Sequence, residues 1–272
     1  MTLLVRQGST PRLIAGAVLL VLAVAFVPFR LASFGPGGGY PDVSTLGQSL
    51  STGFVRFWSA GEGVVGPDLA RPVDYWARFH VIKAVLAALL LVVLVALAPR
   101  LWAAYVHAER LGRRLVVGTV GAVQAALAVL ALLILVANIQ GAIAPLSSAL
   151  GLIPFGSSNT DLAATTAQVQ RGLADGGHSP ALDALVRDFA AYHVAMSWLG
   201  GVVTVGLIAA AVLLWRRRAR VPRDERRQRR TLVLMALAVL ALAAFFGVVT
   251  AANISTAANP APALLAFFQG GS

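Results

Sequence analysis

The chain has no cysteine, and only 12% of its 272 residues are charged. Without thiols there is no disulfide, no thiolate-held metal and no iron–sulfur cluster. So low a charge excludes an ordinary soluble domain, whose composition carries about twice that fraction. Lysine occurs once, at Lys83. Ten-residue segments of alternating polarity are missing, which excludes a transmembrane barrel. So are the GxGxxG, P-loop, GxSxG and HExxH patterns, which leaves soluble-enzyme chemistry without a motif and argues against an enzyme.

What the chain has instead is apolar sequence: 58% of it is hydrophobic and the mean hydropathy is +0.79. Five runs, roughly 13–34, 79–98, 115–137, 194–215 and 231–252, each approach the ~20 residues that cross the hydrocarbon core as a helix. A lipid-exposed backbone must satisfy its own hydrogen bonds, and helices do this within one segment. The expected fold is therefore an all-α integral membrane protein with five transmembrane helices.

The net charge of +11 is concentrated in short loops. Segment 100–114 carries Arg100, Arg110, Arg113 and Arg114 against Glu109, and 216–230 carries nine arginines against Asp224 and Glu225. Arg6 and Arg12 precede the first run, whereas the connections 30–78 and 145–193 are neutral and acidic. The positive-inside rule then puts the N-terminus and both Arg-rich loops in the cytoplasm of a cell-membrane protein, and the C-terminus outside. The cluster Arg216–Arg230 reads as an anchor for anionic lipid headgroups, with docking of an acidic protein as the alternative. Nothing in it requires nucleic acid.

Two stretches share one frame. His80–Trp102 and His193–Trp215 each begin with an aromatic residue before the histidine and end with Trp 22 positions on. Beyond them, Arg114 and Arg229 each lie 24 residues before Asn138 and Asn253, and each Asn lies seven before a proline, Pro145 and Pro260. Coincidences in the same order imply an internal duplication. The expected organisation is an N-terminal signal-anchor helix (1–34), an outer loop (35–72), a first two-helix repeat (73–145), an outer connection with a short helix (146–186), a second repeat (187–260) and an outer tail (261–272). The first run is at the upper limit for a cleaved signal and Arg30 crowds its only small-residue site, so retention is expected; cleavage would leave the other four spans oriented as before. The outer loop is rich in Gly, Pro and Ser, and its Phe54, Phe57 and Trp58 suit the headgroup layer or a lid.

Besides Gln124, a lone polar residue in the middle of the third span, the polar residues worth weighing are His80, His193, Asn138 and Asn253, with Lys83 one turn below His80. In parallel repeats these residues share one depth at the outer ends of a four-helix core and form the one candidate site. Three readings follow. In a non-catalytic module the set hydrogen-bonds helix ends; in a redox protein His80 and His193 ligate haem or a metal ion, with Gly200 and Gly201 leaving room for a ring; in a transporter or channel the repeats surround a polar vestibule. Asp74 and Asp188 lie six and five residues before their histidines, offsets that put them on other helix faces. Because the chain has no native cysteine, single introduced cysteines report the orientation cleanly. One at Gly271 is expected to react with an impermeant maleimide from outside and one at Arg223 is not; the reverse pattern would invert the topology.

Overall fold

A computed structural model describes residues 10–270. Arg6 and Gly271, used above for orientation, lie outside them. Among the described residues the regular structure is all helical: α1 (Thr10–Ala32), α2 (Val43–Ala60), α3 (Pro67–Val106), α4 (Leu111–Ile143), α5 (Pro145–Leu150), α6 (Thr160–Ala174), α7 (Pro180–Arg220), α8 (Arg226–Ala258) and α9 (Pro260–Phe268). Helices α1, α3, α4, α7 and α8 are long and apolar enough to cross a membrane, and they contain the five runs read from the sequence. Their outward side chains demand an apolar solvent: Val92, Val202 and Val248 are 65%, 69% and 70% exposed. In water each would forfeit up to about 1.5–3 kcal/mol of burial, which fits a lipid bilayer environment.

The ends follow local rules. Ser179 caps α7 by accepting from the Leu182 amide, with Pro180 in the first turn, and Asn159 caps α6 in the same way. Asp42 caps α2 through the Thr45 amide, 2.7 Å, and hydroxyl, 3.0 Å. That amide bond, with the hydroxyl second, holds the Asp42 carboxyl below its ordinary 3.8. Its stabilisation of α2 is complete above that value and is lost as acid titrates the folded carboxylate.

Three segments hold more structure than their composition suggested. The stretch 35–72, expected to be irregular, contains α2, and α3 begins at Pro67 rather than beside Pro72. Leu46, Leu50, Phe54 and Phe57 form one buried helical stripe whose period is masked by intervening Gly and Ser. Short helices also occupy 145–150 and 260–268, each opening on its proline.

The chain divides into two compact units, with one division after Pro36 and the others inside α3 and α4. The first contains α1, Arg78 onward in α3, and α4 as far as Ile139. Here Ala17 and Val24 of α1 pack on Leu90 and Leu94 of α3 and Ala131 of α4. Gln124, in the middle of the α4 span, donates its Nε2 to the Leu94 carbonyl at 2.8 Å, which bonds the amide nitrogen within the protein. Arg78 Nε donates to the Ala32 carbonyl at 3.2 Å, placing a cation at the C-terminus of α1.

The second unit holds α2, residues 67–77, the end of α4 and α5–α9. Phe54 packs against Phe155 and Phe268, and Trp58 Nε1 donates to Gln168 Oε1 at 2.8 Å. Phe54 and Phe57 are thus buried in protein rather than turned to headgroups. Gly53 lets α2 approach the first turn of α3: a Cβ there would lie 2.8 Å from the Asp68 carbonyl oxygen and from the Leu69 Cα. Gly53→Ala is therefore expected to destabilise by about 1–3 kcal/mol. Gly112→Ala, with no atom within 4 Å, should cause no loss, and thermal unfolding of both variants in detergent tests the contrast.

Candidate functional site

The four polar residues come together as two pairs, one within each unit. On α3, His80 is buried and its Nδ1 lies 2.8 Å from Asn138 Oδ1 on α4. On α7, His193 Nδ1 lies 2.7 Å from Asn253 Oδ1 on α8. Each asparagine also donates its Nδ2 to the carbonyl four residues back, Asn138 to Ile134 at 2.7 Å and Asn253 to Val249 at 2.8 Å. A carbonyl can only accept, so it fixes the amide nitrogen on that side and the amide oxygen toward the ring. Each histidine Nδ1 must then donate to that oxygen.

The surroundings of the two rings differ. Phe79 meets the His80 ring edge-on at 5.6 Å, and Lys83 Nζ lies over the Phe79 ring at 5.1 Å. The single lysine is thus a cation–π partner of the neighbouring aromatic. His193 lies between Phe189, at 4.5 Å, and Tyr192, at 5.6 Å. Its Nε2 is buried and has no hydrogen-bond partner.

Gly200 does not leave room for a ring: Thr250 Oγ1 fills the place, 2.4 Å from where a Cβ would stand. That hydroxyl donates to the Phe246 carbonyl at 2.7 Å. The glycine serves the close approach of α7 to α8. Among the described residues, no three His, Asp or Glu side chains are grouped as a metal ion would need. His107 Nδ1 bonds the Ala103 carbonyl at 2.8 Å, and exposed His178 pairs with Asp183 at 3.3 Å.

Sequence reasoning missed the partner of Asp188. Its carboxylate accepts from the Ser147 amide at 2.7 Å and hydroxyl at 2.6 Å, so α7 caps α5. Gln140 Nε2 adds a bond to the Tyr192 carbonyl, 3.1 Å, and Trp76 Nε1 one to Ser148 Oγ, 3.1 Å. The only available signal was Ser147 two residues after Pro145, a pattern too common to act on.

The fold and these pairs define a class: an all-α, multi-pass membrane protein with a His–Asn clasp between two helices in each compact unit. No protein-family model, curated protein or solved structure matches the chain.

The clasp geometry makes two measurable demands. Imidazole 15N shifts at neutral pH should show the Nδ1–H tautomer for His80 and His193. A double-mutant cycle of His193→Phe with Asn253→Leu should give a coupling of about 0.6 kcal/mol, and not above ~1.7, because partners in the membrane-unfolded state offset part of the bond.

Proposed function

We propose that this chain is a non-catalytic module of the cell membrane, built from an N-terminal helix and two copies of a helical hairpin, in which each His–Asn pair fastens its hairpin. The observation that carries this reading is the recurrence of one bond pattern: Nδ1–H to Oδ1, with the same asparagine's Nδ2 on its own helix carbonyl. A fastener needs such bonds, since the amide nitrogen is held on its own helix and the amide oxygen reaches the facing one. The duplication gains support from helix lengths, 40 and 33 residues in one hairpin and 41 and 33 in the other, and from the proline-opened helix after each. In the proposed orientation the N-terminus and both Arg-rich loops are cytoplasmic, and Arg216–Arg230 meets anionic lipid headgroups.

A second reading has one observation in its favour. The buried, unpartnered Nε2 of His193 is the atom an imidazole offers to haem iron or to a metal ion, with Asn253 orienting the ring through Nδ1. The absorption spectrum and metal content of the purified protein separate the two. The module reading expects no Soret band and no stoichiometric metal, and His193→Phe that folds with wild-type helicity. A bound chromophore or metal that disappears in His193→Phe would replace it with the redox reading.

A further inference from the structure

Five arginines of the α7–α8 turn line an open pocket of about 380 Å³: Arg218, Arg223, Arg226, Arg229 and Arg230, together with Val233 and Leu234. No carboxylate is among its walls, although Asp224 and Glu225 lie in the same turn. Among the described residues none of the five forms an ion pair. Two of them are set by the protein. Arg218 lies over the Trp215 ring at 5.1 Å, with Nε buried and unpartnered, and Arg229 donates to the Val221 carbonyl at 2.8 Å.

Five like charges around one small space repel one another, and a surface that needed only diffuse attraction to lipid would spread them. Gathered, they fit a phosphate group, because guanidinium forks match phosphate oxygens two at a time. The N-terminus of α8 opens here, at Arg226, and adds the positive end of its dipole. Apolar walls continue from the charged ones: Leu234, 66% exposed, starts the lipid-facing surface of α8. A ligand that has a phosphate at one end and hydrocarbon at the other satisfies both halves.

We infer that this cavity is a stoichiometric binding site for the phosphate headgroup of an anionic phospholipid, with its chains descending past Val233 and Leu234. The inference rests on the proposed lipid contact of Arg216–Arg230 and narrows it to five of the nine arginines. Arg216 and Arg220, exposed and outside the cavity walls, supply only general attraction.

The full chain, delipidated in neutral detergent and offered phosphatidylglycerol or phosphatidylcholine, tests this by native mass spectrometry. One phosphatidylglycerol per chain should be retained and no phosphatidylcholine. Arg223→Gln with Arg226→Gln should lower retention about tenfold or more, while the charge-matched Arg216→Gln with Arg220→Gln keeps it. Arg223 and Arg226 are exposed; if the double variant loses helicity, Arg223→Gln alone gives the same comparison. Equal loss in both double variants would overturn the site and leave the diffuse lipid contact standing, whereas no preference for phosphatidylglycerol in the unaltered chain would overturn both. Displacement of the lipid by an equal concentration of inorganic phosphate would show a site for free phosphate and defeat the lipid assignment.

Discussion

A backbone or side-chain polar group placed in hydrocarbon has only protein to bond to, and this constraint orders most of what the long helices do. Ser197, Thr204 and Thr250 each return their hydroxyl to the carbonyl four residues earlier. Gln124 reaches across to the Leu94 carbonyl, and Arg100 turns back to that of Ala96. The His–Asn pairs are the same rule applied twice over. Asparagine has one donor group to spend on its own helix and one acceptor to offer, and a histidine on the facing helix supplies the donor.

That economy bears on function. An imidazole bonded at Nδ1 has a second ring nitrogen, Nε2, that it can offer to a ligand. In the second unit the atom is buried without a partner, so the fastener and the ligand readings diverge at one nitrogen. The arginine cavity lies at the other end of the same helix. From His193 to Arg218 is 25 residues of α7, about 38 Å along its axis, which is more than the hydrocarbon thickness. The hairpin therefore carries its polar clasp and its basic cavity about 38 Å apart along α7.

The short helices show a different balance. Helices α2 and α9 and the connection between α5 and α6 meet through Phe54, Phe268 and Phe155, a cluster whose members are far apart in the chain. Removing one such ring costs about 3–5 kcal/mol, more than any single hydrogen bond described above. The connection through α5 relies instead on polar ties, from Asp188 to Ser147 and from Trp76 to Ser148.

Hydropathy alone determined the five spans, because a run of about 20 apolar residues has one stable form in lipid. Local chemistry determined some ends: Ser179-Pro180 reads as a cap from sequence because its bonds are made within four residues. The spacing of His80, Asn138, His193 and Asn253 singled out the four residues, but spacing carries no information about partners. Tertiary structure decided that each histidine bonds the asparagine of its own hairpin, that Lys83 goes to Phe79, and that Gly200 is occupied by Thr250. It also decided α2, since a helix diluted by Gly and Ser gains its stability from the surface it packs on, here Phe155, Phe268 and the first turn of α3. Distance along the chain hides such contacts, and only the folded arrangement brings the groups within bonding range.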